Sequence, residues 1–166
     1  MTATYEPIST QTLGTATADV FFTSIPQTYT DLVLVMVGGC AANAGIGYRF
    51  DSDGASNYSV TFLEGSGSAA SSNRYTSENF LRIGYNATWS TGLYNTAISH
   101  IQNYTNTTTY KTVLSRVGDS TNGYVSASVG LWRKTPEALN SINIMTSNGN
   151  NFLVGSTFTL YGIKAE

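Results

Sequence analysis

Short runs of β-branched, aromatic and small polar residues recur along the whole chain, separated by Gly/Ser/Asn turns. This rhythm constrains the fold more than any other feature. A period of two sends successive side chains to opposite faces of a strand, and no helical stripe can be drawn through it. The runs fall at residues 8–13, 19–23, 32–37, 46–50, 58–63, 80–85, 97–104, 111–117, 124–133, 141–145 and 158–163. Residues 32–37 (LVLVMV) are apolar on both faces, as in a central strand. In 124–133, Val125, Ala127, Val129 and Leu131 share one face, and Tyr124, Ser126, Ser128, Gly130 and Trp132 the other. Trp132 reads as a packing residue at a sheet edge. Only residues 135–139 (TPEAL) open like a helix, with Thr135 at the cap and Pro136 first, and they allow one turn at most.

Regular spacing with turn signals predicts an all-β fold: a single-domain antiparallel β-sandwich, jelly-roll-like, of about ten strands. Residues 1–13 read as an N-terminal arm or docking strand, able to add to a neighbour's sheet edge, and residues 14–166 as the sandwich. Residues 64–73 (EGSGSAASSN) have almost no side chain to bury and read as a mobile surface loop.

Composition narrows the function classes. Of the 166 residues only 11% are charged, the formal net charge is −2, and Ser, Thr and Asn make up about a third of the chain. That balance excludes binding nucleic acid through phosphate neutralisation. One cysteine and one histidine exclude a disulfide framework and a multi-histidine or cysteine-rich metal centre. No run is long enough to cross a bilayer as a helix, and the first residues do not form a signal peptide. Read against the strand pattern, the missing charge is replaced by Thr and Ser on outer strand faces and by Asn, Gly and Ser in turns. Cys40 reads as a buried small hydrophobe.

Catalytic patterns fail one by one. His100 has no nucleophile elbow to serve and lies in a predicted strand. Asp51, Asp53, Glu64, Glu78, Asp119 and Glu137 could supply a glycosidase pair, yet nearly all sit in predicted turns, where Asp is common for backbone reasons. Asp51-Ser52-Asp53-Gly54 begins like a calcium loop, but its twelfth position is Phe62 and no helices flank it. We therefore expect no enzyme, no cofactor and no metal.

The aromatic residues are more informative. Tyr75, Phe80, Tyr85, Trp89, Tyr94 and Tyr104 crowd one stretch otherwise rich in Asn, Ser and Thr. Tyr and Trp join large contact area to a polar tip and are enriched at interfaces, though they also fill sandwich cores. Trp89 and Tyr94 are the expected exposed pair. Tyr85 and Tyr75, with Tyr5 and Ile8 from the N-terminal strand, complete the candidate interface.

Six segments carry a resemblance. They are Ser24-Ile25-Pro26-Gln27-Thr28-Tyr29-Thr30-Asp31-Leu32-Val33-Leu34-Val35, Tyr48-Arg49-Phe50, Gly54-Ala55-Ser56-Asn57-Tyr58-Ser59, Asn103-Tyr104, Gly130-Leu131-Trp132 and Gly155-Ser156-Thr157-Phe158-Thr159-Leu160-Tyr161-Gly162-Ile163. In this order the chain resembles a family of tailed-bacteriophage virion structural proteins frequent in aquatic phages. The resemblance implies a β-sandwich virion component, made in the host bacterial cytoplasm, with no catalytic residues to carry over.

The first expectation is a capsid decoration or cement protein on the head surface. The frame reads as short and complete, without a coiled-coil or β-helical shaft, and a weakly charged sandwich can clamp a lattice with little dependence on salt. Its expected partners are the major capsid protein or other virion proteins and further copies of itself, a homotrimer being favoured, with no nucleic acid and no membrane. The alternative is a tail-associated receptor- or glycan-binding module (a tail-fiber component) that meets a host surface glycan through residues 73–110.

Overall fold

The computed structural model describes residues 4–85, 88–91, 95–120 and 123–164. Among them there is no helix, and twelve strands follow one another: β1 Tyr5–Thr12, β2 Asp19–Phe22, β3 Asp31–Gly38, β4 Ile46–Phe50, β5 Tyr58–Gly65, β6 Ala70–Glu78, β7 Leu81–Arg82, β8 Asn95–Gln102, β9 Lys111–Gly118, β10 Val125–Trp132, β11 Ile142–Thr146 and β12 Thr157–Ile163. They form an eight-stranded sheet in the order β1-β12-β3-β8-β9-β10-β5-β6 and a four-stranded sheet in the order β2-β11-β4-β7. Every pairing is antiparallel. The apolar run at 32–37 forms β3, an interior strand held between β12 and β8. The fold is the antiparallel β-sandwich that the spacing predicts.

Between the sheets the core is built from complementary sizes. The small sheet contributes Tyr48 and Phe50 from β4, Leu81 from β7 and Ile142 and Ile144 from β11, all buried. Opposite them, the middle of the large sheet offers small residues. Ser99, Ser115 and Ser128 stand side by side across β8, β9 and β10, and each is buried. A Cβ on Gly130 would stand 2.4 Å from Leu81 Cδ1, so only glycine lets that leucine seat. Tyr48 Oη lies 2.7 Å from Ser99 Oγ, Ser99 Oγ 2.7 Å from Ser115 Oγ, and the Ser128 hydroxyl donates to the Ile83 carbonyl at 3.1 Å. Bulky side chains from one sheet thus fill the space that small ones leave on the other, and the hydroxyls of Tyr48, Ser99 and Ser115 satisfy one another, while Ser126 Oγ has no partner among the described residues.

Four expectations change. Trp132 is not at an edge. It is 2% exposed, packs edge-on to Phe50 with ring centroids 5.6 Å apart, and donates from Nε1 to Asp53 at 2.7 Å. Being in phase with Ser126, Ser128 and Gly130, it brings that face inside, so the serines of β8–β10 are interior rather than on outer faces. Residues 64–73 are no loop. They finish β5 and start β6, with a tight connection in which Ser66 N–H donates to the Ala69 carbonyl and Gly67 takes a φ of 82°. As an edge strand β6 gains its order from ladder hydrogen bonds, so it needs no apolar pattern. Residues 135–139 form no helical turn. The Leu139 N–H donates to the Tyr104 carbonyl and the Asn140 N–H to Asp51, so those donors are committed outside the segment. Finally, the segment read as an arm pairs within its own chain. β1 adds to β12 as the edge of the large sheet, with a bulge between Pro7 and Ser9.

Candidate docking surface on the outer sheet

Because the serine face of β10 is inside, its apolar face is outside, in line with Ile98 of β8 and Leu114 of β9. The register places three rows across it. One runs Val37–Thr96–Gly118–Val125–Gly65, the next Val35–Ile98–Arg116–Ala127–Leu63–Ser72, and the third His100–Leu114–Val129–Thr61–Arg74. Leu63, Val125 and Val129 are each more than half exposed, and Ile98, Leu114 and Val37 are exposed beside them. A groove of about 730 Å³ runs between Leu63, Ile98, Arg116, Val125 and Ala127, and a second of about 400 Å³ continues along Leu114, Val129 and His100.

Charge on this face is one-sided. The three rows hold Arg116, Arg74 and His100 and no carboxylate. His100 Nε2 lies 3.2 Å from Asp31 Oδ2 at the rim. Arg116 and Arg74 are exposed, and neither forms an ion pair with a described residue. Elsewhere Arg82 pairs with Glu78, Lys134 with Glu137 and Lys164 with Glu6, while Arg49 donates to the Asn79 carbonyl and Arg133 forms no ion pair with a described residue. Lys111 is buried, and its ammonium donates to the Asn106 and Thr109 carbonyls, while burial pushes its pKa down.

The candidate interface read from the aromatic stretch does not assemble. Trp89 is fully buried, a correction with a clear cause. Its backbone exchanges hydrogen bonds with Ala44 at 2.8 and 2.9 Å, and its indole packs against Phe152 and Phe158 over the bare backbone of Gly38. Tyr94 lies outside the described residues. Tyr104 is buried and its hydroxyl donates to the Pro26 carbonyl.

Tyr75 and Tyr85 do meet, with ring centroids 5.7 Å apart beside Phe62, and the Arg82 guanidinium lies 5.4 Å from the Tyr75 ring. A hydrogen bond with Tyr85 pushes the Tyr75 phenol upward. Tyr5 is exposed on β1, its ring edge-on to Tyr161 at 6.5 Å, and Ile8 packs partly onto the core. These four residues therefore lie at opposite edges of the large sheet, not in one patch.

Three of the acidic candidates, Asp53, Asp51 and Glu64, accept hydrogen bonds that tie segments of the fold together. Asp53 accepts from Trp132 Nε1, Asn57 Nδ2 and the Ala55 N–H, at 2.7, 2.9 and 2.9 Å. Burial raises its pKa, but those donors outweigh it and hold the carboxyl below its ordinary value. Asp51 accepts from the N–H groups of Asn140 and Ser141 and from the Ser141 hydroxyl, pinning the 135–141 segment to the β4–β5 turn. Glu64 is buried and accepts from the Tyr85 N–H at 2.8 Å. No group of three or more His, Cys, Asp or Glu among the described residues could hold a metal ion. Cys40 is buried, and burial pushes its thiol up to about 12, where it is no nucleophile.

Sequence reasoning missed Leu63, Ile98, Leu114, Arg116, Val125 and Val129 as surface residues. Trp132 is in phase with Ser126, Ser128 and Gly130, and its burial carries that face inside.

No family model matches the chain, and no curated protein matches it. Among solved structures, a toad ovary galectin in complex with thio-digalactose is similar at a TM-score of 0.40 and 11% identity, covering 87% of this chain and 99% of that one. A mutant of the alginate lyase Aly36B in complex with alginate tetrasaccharide is similar at a TM-score of 0.31 and 7% identity, covering 95% of this chain and 80% of that one. At such values neither likeness carries an argument about what this chain does.

Proposed function

We propose that this chain is a non-catalytic docking protein of a tailed-phage particle, a decoration or cement protein that seats the outer face of its eight-stranded sheet on another virion protein. The observation that carries the reading is the apolar face of β5, β8, β9 and β10, where Leu63, Ile98, Leu114, Val125 and Val129 are exposed side by side in a chain short of charge. Four strands about 4.8 Å apart and three rows about 7 Å apart span roughly 400 Å² in projection. Patches of about 300–600 Å² are often functional. With a polar rim, such a centre approaches the ~800 Å² per partner of a stable interface. The resemblance of the segments from Ser24–Val35 to Gly155–Ile163 supports the virion setting.

The expected homotrimer belongs to the same proposal and is checked by sedimentation of the purified chain. Locating the chain in purified particles by electron microscopy tests the main reading. Density for it on the head surface is the expected result. Its absence from particles, or its release with isolated tails, overturns the head placement.

One observation favours the tail reading. The Tyr75–Tyr85 pair beside Arg82 offers aromatic faces of the kind that stack on sugars. Binding on a glycan array that Tyr85→Ala abolishes would support it.

A further inference from the structure

We infer that the outer sheet face recognises an apolar surface bearing carboxylates on a protein other than this chain. The inference rests on the reading of this face as a docking surface and adds the chemistry of what docks there. The two arginines on the face lack ion partners among the described residues and point the same way. Arg116 sits mid-row between Ile98 and Ala127, and Arg74 sits on the edge strand beside Thr61. Three strand spacings across and two residues along put them about 16 Å apart. An arginine inside a docked apolar interface needs acceptors from the partner, because a buried unpaired charge costs several kcal/mol, and a carboxylate also neutralises it. A guanidinium pairs best with a planar carboxylate, through two parallel hydrogen bonds.

A second copy of this chain does not fit. Seated face to face, its rows would offer these arginines only Arg74, Arg116 and His100 and no carboxylate. Its other surfaces offer no spare acid either, since every described carboxylate is already engaged in its own chain. Glu6 holds Lys164 and Tyr29, and Asp19 holds Asn143. Asp31 holds His100 and the Asn103 N–H, and Glu78 and Glu137 hold Arg82 and Lys134. Asp51, Asp53 and Glu64 are committed as described above, and Asp119 accepts from the Thr88 hydroxyl. The partner must therefore bring its own carboxylates, set among apolar side chains and spaced by about four residues of extended chain, ~14 Å.

The test uses the full chain with methyl and amide labels, followed by NMR during titration with the synthetic peptide Leu-Ser-Glu-Ser-Leu-Ser-Glu-Ser-Leu. This peptide places two carboxylates and three leucines on one strand face. The same peptide with Lys for Glu, and phosphatidylglycerol vesicles, are the comparison probes. Saturable shifts at Ile98, Leu114, Val125 and Val129 are expected with the Glu peptide. The Lys peptide should bind at least about tenfold more weakly, a difference of about 1.4 kcal/mol. The preference should invert in Arg74→Glu/Arg116→Glu, whose unchanged amide spectrum shows that it folds.

Equal affinity for both peptides, no shifts on this face at about 1 mM Glu peptide, tighter binding to the vesicles, or self-association blocked by Arg116→Glu would each overturn the inference. The two readings fail separately. A chain found on particles but without charge preference loses only the partner chemistry. A chain absent from particles that still selects the Glu peptide loses only the virion setting.

Discussion

The two faces of β10 have opposite chemistry, and the opposite of what hydrophobic patterning alone leads one to expect. Its inner face carries Ser126, Ser128, Gly130 and Trp132 and its outer face Val125, Ala127 and Val129, whereas β8 and β9 set Ser99 and Ser115 among buried Ala97, Ile101, Val113 and Val117 and leave Ile98 and Leu114 outside. The reason is volume. The small sheet projects Tyr48, Phe50 and Leu81 into the shared core, and only small residues leave room for them. A buried hydroxyl costs little when another hydroxyl meets it, whereas an extra methyl in a filled space has nowhere to go. The contrast teaches that burial follows the shape of the opposing layer, and that an apolar strand face left outside is available to a partner.

This contrast can be broken at several points. The largest effect is expected at Trp132, which anchors the inner face. Trp132→Ala should cost about 3–5 kcal/mol in denaturant unfolding. A cost under about 1 kcal/mol, the scale of a surface change, would mean that the serine face is not interior.

Next is Asp53, which receives the indole N–H. Asp53→Ala should cost about 2 kcal/mol, because Trp132 Nε1 loses its charged acceptor. The same carboxyl sets a pH limb. Its folded pKa lies below the unfolded value, so its contribution is fully present above the unfolded value and is lost as pH falls through the folded one. The wild-type chain should therefore lose more stability on acidification from pH 6 to about pH 3 than Asp53→Asn does. Parallel acid limbs would remove Asp53 from that role.

A matched pair gives the sharpest test. If hydrophobicity decided the faces, Ser128→Val would stabilise and Val129→Ser would destabilise. The packing demands otherwise. Ser128→Val should cost about 1–3 kcal/mol through overpacking and the loss of its bond to the Ile83 carbonyl. Val129→Ser should change stability by less than about 0.5 kcal/mol while weakening docking to the partner. Thermal melts of both variants decide between the two accounts.

A smaller effect than that of Ser128→Val is expected at Tyr48→Phe. It removes one end of the hydroxyl chain while Ser99 and Ser115 keep each other, a loss of about 1 kcal/mol. A loss above about 3 kcal/mol would show that the chain acts as one cooperative unit.

Most of the architecture was legible in the chain itself. Alternation placed β4 at residues 46–50 without error and nearly all the other strands within a few residues, because period-two pleating is a local property. The edge strand β6 was not legible, since its residues bury little and are held by pairing with β5. The candidate site was legible only in part. Tyr75 and Tyr85 do meet, but Trp89 is core, and the apolar face with Arg74 and Arg116 went unseen as a surface.

The division follows from physics. A strand's two faces, and which residues share each, are determined by sequence because side chains alternate along the backbone. Which face lies inside is decided only when a second layer arrives, because it depends on the volumes that Tyr48, Phe50 and Leu81 bring from distant parts of the chain. By itself the sequence therefore determined an all-β sandwich poor in charge; tertiary packing decided that Ser99, Ser115, Ser126 and Ser128 are interior and that Leu63, Leu114, Val125 and Val129 lie outside.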